Sequence, residues 1–357
     1  MKGGEQRFRD LFMKKSYKII LIISGVLTVA AGVVCIEQYY RLHISNLRSY
    51  DGEQHGYHIY PAGTLDSVMS IVETDYEIGS RWSFDWHAEK MGLVAPQAGF
   101  YRFPAIMGDR YFIRRLQSGE QTPVRLTFNH YIRTREQLAG KIASGLLLDS
   151  ADILRRLESD EYMAQYGLNK ETAICLFIPN TYEVYWTISP DQLFERMYKE
   201  YNRFWNEERR HKADSIGLTP VEVAIVASIV EGETHKKDEL PIVASLYLNR
   251  VHKGMLLQSC PTVIYANGDF KLRRVLKRHL AIDSPYNTYK YPGLPPGPIR
   301  CAAPATLDVV LNAPATDYLY MCANPDFSGT HIFSAHYGQH AAAAVEYRHQ
   351  LDKRNIK

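Results

Sequence analysis

The stretch Thr219-Pro220-Val221-Glu222-Val223-Ala224-Ile225-Val226-Ala227-Ser228-Ile229-Val230-Glu231-Gly232-Glu233-Thr234 organises the reading of this 357-residue chain. Thr219 and Glu222 form a capping box around a proline in the first turn, which predicts a helix start. Val223, Val226, Ile229 and Val230 then recur at helical spacing. Glu233 lies three residues after Val230, four after Ile229 and seven after Val226, so it prolongs the apolar stripe. Glu231 projects about 160° away, at 3.6 residues per turn, behind Ala224, Ala227 and Ser228. A carboxylic acid in an apolar setting can serve as a general acid near neutral pH, because desolvation raises its pKa. Taken alone, the helix favours the plainer reading of two solvated acids at a frayed end, because acids near helix ends are common.

Moving outward, the N-terminus is the other decisive region. Residues 1–18 carry Lys2, Arg7, Arg9, Lys14, Lys15 and Lys18 against Glu5 and Asp10. Ile19 to Ile36 follow, 18 residues without a charge, and Tyr39-Tyr40 stand at the expected interface. Cys35-Ile36-Glu37-Gln38-Tyr39 offers no small-x-small cleavage site, so an uncleaved anchor over 19–38 is expected rather than a signal peptide. The basic flank puts residues 1–18 in the cytoplasm and everything after the anchor outside it, in the periplasmic space at the inner membrane. Net charge is only +3, with 42 Lys+Arg against 39 Asp+Glu, so no basic field argues for a nucleic-acid partner.

Between these regions the chain reads as a polar linker over 39–56, a small α+β module over 57–134 and a helical connecting region over 135–212. A second capping box, Ser189-Pro190-Asp191-Gln192, opens a helix in that region. Residues 213–357 read as helical at both ends and loop-rich between. Gly254 to Tyr265 is expected to be extended, broken by a Cys-Pro turn. Ser284-Pro285-Tyr286-Asn287-Thr288-Tyr289 alternates aromatic and hydrogen-bonding groups, and Gly293-Leu294-Pro295-Pro296-Gly297-Pro298-Ile299 is a rigid loop. Tyrosine faces beside amide and hydroxyl side chains suit a sugar better than a phosphate or an acyl chain. No ligand cluster or phosphate loop appears, so neither a metal nor an organic cofactor is expected.

Taken in order, these motifs resemble the endolytic murein transglycosylases, the MltG or YceG-like family. The resemblance rests on Ile229 to Thr234, Asn249-Arg250, Gly254-Met255, Gln258, Pro261 to Tyr265, Tyr286 to Tyr289 and Gly293 to Ile299. Phe177 to Tyr182, Tyr318 to Tyr320, His331-x-Phe333 and His340 extend it, so that it covers roughly residues 57–350. It implies an α+β chain with a LysM-like module at 57–134 and a mainly helical, lysozyme-like catalytic domain at 213–357. The implied activity is that of a carbon–oxygen lyase, a lytic transglycosylase. Such an enzyme cleaves the β-1,4 bond between N-acetylmuramic acid and N-acetylglucosamine in nascent peptidoglycan strands and leaves a 1,6-anhydro end. Its partners would be glycan strands, the cytoplasmic membrane and peptidoglycan synthases. One carboxylate suffices for this reaction, because the nucleophile is the substrate's own 6-hydroxyl.

Glu233 is the expected catalytic residue and Glu231 the runner-up, as a supporting acid. Gln258, Tyr286, Asn287 and Tyr289 are the candidate sugar contacts, with loop-internal bonding as the alternative for each. Two other functions stay open: a hydrolase of the same bond, drawing a second carboxylate from Asp269, Asp283 or Asp326, and a non-catalytic peptidoglycan-binding scaffold. The sequence departs from the family where Cys260 replaces a usual aspartate and Cys301-Ala302-Ala303 replaces Asn-Pro-Gly. Those two cysteines are expected to form a disulfide bracing the cleft.

Overall fold

The computed structural model describes residues 2–272 and 274–354, with side chains from Met13 onward. The side chains of the basic tail as far as residue 12 therefore lie outside the described residues. The chain divides into two compact units, Met1–Val124 with Tyr185–Thr187, and Arg125–Val184 with Ile188–Lys357.

The first unit begins with a helix, Lys2–Tyr40, whose apolar stretch is long enough to cross a membrane and is not buried inside the protein. The expected linker carries structure instead. Arg41–Ser45 makes a π-helical turn, and Leu47–Ser49 is the central strand of a three-stranded sheet, antiparallel to Tyr76–Ile78 and Ile106–Met107. A strand of three residues is too short to show an alternating pattern, which is why composition alone suggested a linker. The turn is locked from below. Asn46 Nδ2 donates to Asp109 Oδ1 at 2.7 Å, His87 Nδ1 meets Asp109 Oδ2 at 2.7 Å, and Ser83 Oγ donates to Gln38 Oε1 at 3.1 Å. A Cβ on Gly108 would stand 2.4 Å from the His43 backbone, so only glycine allows this approach.

A second antiparallel pair, His55–Ile59 with Gly99–Phe103, brackets the helices Leu65–Val72 and Arg81–Met91. The Asp109–Ser118 helix, closed by Gly119 in the left-handed region, completes this unit. Its core is aromatic: Tyr76, Phe84, Tyr101, Phe103 and Phe112 are fully buried.

In the second unit the helix Pro220–Glu233 forms with both expected capping bonds, and the Ser189 box opens Pro190–Phe204 in the same way. Six of its fourteen residues are β-branched, so local propensity is weak and burial must hold the helix. Val223 through Glu231 are all buried, packed by Leu240–His252, Cys260–Asn267 and Pro304–Leu311. The helix thus has no polar face. Ala224, Ala227 and Ser228 are small because neighbouring backbone comes close: the Ile299 N–H donates to Ser228 Oγ at 3.0 Å. Cys260–Asn267, read as an extended stretch, is a helix with proline in its first turn. The hairpin Tyr320–Ala323 with His331–Ser334 and the helix Tyr337–Lys353 close the unit.

Candidate active site

Gly232 separates the two acids because nothing larger fits. A Cβ there would lie 2.6 Å from the Pro261 ring. The two carboxylates consequently leave the helix end in different directions and meet different chemistry.

Glu231 is buried. Its Oε1 accepts from the Ala303 N–H at 2.8 Å and from Thr306 Oγ1 at 2.6 Å, while Oε2 has no partner among the described residues. It fastens the acid helix to the start of Pro304–Leu311.

Glu233 is half-buried at the last position of the helix. Its Oε1 accepts from Tyr247 Oη at 2.7 Å and from Ser259 Oγ at 2.6 Å. Its Oε2 accepts no hydrogen bond from the described residues. Burial pushes the Glu233 carboxyl above its ordinary value, and the two hydroxyls together with His331 and Arg250 pull the other way without cancelling the rise. Tyr247 in turn is pushed well up by burial and by Glu233, so its phenol stays a proton donor.

The groups around Glu233 are themselves fixed. The Ser259 N–H donates to Thr288 Oγ1 at 3.0 Å, Thr262 Oγ1 meets Thr288 Oγ1 at 2.8 Å, and the Gln258 N–H donates to the Thr288 carbonyl at 3.1 Å. Arg250 donates to the Leu257 carbonyl at 2.7 Å and to the Leu319 carbonyl at 2.6 Å. Thr234, the cap residue after Glu233, donates to Glu239 Oε2 at 3.1 Å. Glu239 also receives the His331 N–H at 2.6 Å and His331 Nδ1 at 3.0 Å. Burial pushes the Glu239 carboxyl up, but the His331 donors outweigh it and hold the group below its usual value. Sequence reasoning named neither Tyr247, Ser259 nor Glu239. Tyr247 lies fourteen positions from its partner and Ser259 twenty-six, so only the fold brings them together.

The expected sugar contacts divide. Gln258 is exposed, with φ at +50°, a left-handed conformation unusual outside glycine. Tyr289 is half-buried, its hydroxyl 3.3 Å from Cys260 Sγ. Asn287 and Tyr286, by contrast, turn inward. Asn287 is fully buried, its amide donating to the Leu280 and Ile282 carbonyls and its Oδ1 accepting from the Tyr289 N–H. Tyr286 donates to Glu171 Oε2 at 2.8 Å and packs on Tyr265 with ring centroids 4.7 Å apart. Both shape the loop rather than face a ligand. The disulfide expected between Cys260 and Cys301 is absent: Cys260 is exposed beside Tyr289, whereas Cys301 is buried and directed at the Ile174 carbonyl. Among the described residues no cluster of His, Cys, Asp or Glu has metal-binding geometry.

The model of the YceG-like family matches residues 57–346, from the first unit to the final helix. The chain belongs to the YceG-like family. A relative named endolytic murein transglycosylase from Bacillus subtilis (strain 168) is 29% identical over 307 residues, which cover 80% of this chain and 83% of that protein. A relative of the same name from Streptococcus pneumoniae serotype 2 is 24% identical over 276 residues, covering 68% of this chain and 49% of that longer protein. A crystal structure of a yceG-like protein from Listeria monocytogenes is similar with a TM-score of 0.56 and 26% identity, over 81% of this chain and 98% of that one. As a YceG-like protein, the chain keeps its acid helix and both long loops inside the matched region.

Proposed function

We propose that this protein is a membrane-anchored lytic transglycosylase that cleaves peptidoglycan glycan strands, with Glu233 as its single acid and base. The observation that carries this reading is the asymmetry of the Glu233 carboxylate. Both lone-pair directions of Oε1 are taken by hydroxyl donors, so the proton of the neutral acid resides on Oε2. That oxygen has no partner among the described residues and is free to protonate a glycosidic oxygen. Once it has, the Tyr247 and Ser259 hydroxyls stabilise the carboxylate that forms.

The 6-hydroxyl of the N-acetylmuramic acid then attacks its own C1, and Glu233 takes up the hydroxyl proton. No second carboxylate is required, and the side chains around Glu233 match that demand. No hydrogen bond joins Glu233 to another acid. Asp283 is exposed and occupied by Tyr291, and Asp326 is bonded within its own turn. Glu231 is engaged by Ala303 and Thr306. The names of the Bacillus and Streptococcus relatives support the same substrate.

In this reading Gln258 and Tyr289 contact the sugar. Residues 57–134 are a LysM-like glycan-binding module, and the peptidoglycan synthases at the membrane surface are the source of the strands. The basic residues before the apolar helix keep the N-terminus in the cytoplasm and the enzyme outside it. The test is digestion of purified glycan strands by the wild-type protein and Glu233→Gln, with products weighed by mass spectrometry. Anhydro ends made only by the wild type support the proposal. Reducing ends would indicate a hydrolase, and binding without any product would indicate a scaffold.

A further inference from the structure

Arg300 is only 7% exposed, yet its guanidinium forms no hydrogen bond or ion pair with any described residue, and its buried Nε has no partner. Arg133 is half-buried and its guanidinium is likewise unpaired, lying 4.9 Å over the ring of Phe270. The two arginines sit on adjoining segments of the second unit, for the Cys301 N–H donates to the Ile132 carbonyl at 2.8 Å. The next arginine along is already engaged: Arg135 donates to the Lys170 carbonyl at 2.7 Å and faces Glu171 at 3.7 Å. Two neighbouring cations with no carboxylate in direct contact among the described residues, one of them buried, are unfavourable unless an anion joins them.

We propose that Arg300 and Arg133 form an oxyanion subsite that takes a carboxylate from the peptide stems borne by the glycan strand. The inference rests on the proposed function for its substrate class. Arg300 is tied to the acid helix from both sides, by the Ile299 N–H on Ser228 and the Ala303 N–H on Glu231. The segment that carries Arg300 is thereby fixed to the helix that ends in Glu233. The planar fork of arginine accepts carboxylate and phosphate alike. Stem carboxylates recur with every disaccharide, whereas a diphosphate occurs only at the lipid-linked end, so the carboxylate is the occupant available beside each cleavable bond. Phe270 beneath Arg133 and the exposed Tyr131 add apolar surface for the peptide. Burial and the neighbouring Arg133 charge pull Arg300 below the ordinary arginine range, and the more remote Glu231 charge does not offset them.

The experiment measures binding of peptide-bearing and peptide-free glycan strands to the full-length protein in detergent, carrying Glu233→Gln so that the ligand is not consumed. Peptide-bearing strands are expected to bind about tenfold more tightly, and adding Arg300→Gln or Arg133→Gln should bring that ratio close to one. A ratio near one in the parent, or one preserved in both arginine variants, overturns the subsite and leaves Arg300 as a distant counter-charge to Glu231. Displacement of peptide-bearing strands by inorganic pyrophosphate but not by a free acetylated dipeptide also overturns it. Should Arg300→Gln fail to fold, Arg133→Gln carries the same test. Anhydro ends are read separately on the protein with Glu233 intact: their absence there, with strand discrimination retained in the Glu233→Gln protein, refutes the proposed function and keeps the subsite, and the opposite pattern does the reverse.

Discussion

Glu231 and Glu233 stand two positions apart on one helix, and the fold treats them oppositely. Around Glu231 the protein closes completely: a backbone N–H and a threonine hydroxyl reach one oxygen, and the side chain joins two helices. Around Glu233 two hydroxyls likewise reach one oxygen; the second oxygen of each acid lacks a partner among the described residues, but that of Glu231 is buried and that of Glu233 is not. On the proposed reading, desolvation alone does not mark a working acid. Glu231 is the more deeply buried of the two, yet both its neighbours are parts of the scaffold. Glu233 has donors that can respond to a proton and an oxygen from which to give one.

The largest effect that could break this contrast is on catalysis. Glu233→Gln should lower the rate of anhydro-end formation by at least about 10²-fold, the usual worth of a general acid, while circular dichroism reports a native fold. The same substitution should raise the melting temperature at neutral pH. A carboxyl whose folded pKa is raised binds more protons folded than unfolded, so stability falls as pH rises from the unfolded to the folded value, and glutamine escapes that loss. The gain should vanish near pH 4, below the ordinary glutamate pKa.

Glu231→Leu should do the opposite, leaving the Ala303 N–H and the Thr306 hydroxyl without an acceptor. Destabilisation of about 2–4 kcal/mol is expected, readable by urea titration, with less loss of turnover per folded molecule than Glu233→Gln. A finer test lies in Tyr247→Phe. Removing one donor to the Glu233 carboxylate raises its pKa further. Because the acid must be protonated to act, the alkaline limb of the pH–rate profile should move upward by about one unit or less, the value of one hydrogen bond. A downward shift would contradict the arrangement. The smallest effect is reserved for Cys260→Ser, which should change stability by less than about 0.5 kcal/mol, because this exposed thiol contacts only the Tyr289 hydroxyl.

Much of this was legible in the sequence where the cause is local. Both capping boxes produced the helices they signalled, and the apolar run before Glu231 identified the central helix of its unit. The ordered loops also pointed to the family. What escaped is what long-range packing decides. The packing on the second face of the acid helix is one such case: the Ile299 N–H meets Ser228, and Val223 through Glu231 are buried on every side. Pro261 suggested a turn, yet it occupies the first helical turn of Cys260–Asn267, where proline is favoured. Asn287 and Tyr286 have the side chains of sugar ligands, but here they bond the backbone of the preceding residues and Glu171.

The junction between the apolar helix and the first unit has a mechanical consequence. The contact of Gly108 with the His43 backbone, the Asn46–Asp109 bond and the Ser83–Gln38 bond leave no slack between Gln38 and the sheet. A tethered enzyme usually searches a hemisphere whose radius is set by a flexible leash. Here the first unit is bolted to its apolar stem like a lamp on a bracket, so under the proposed anchoring its height above a bilayer would be set by the fold rather than by a thermal average.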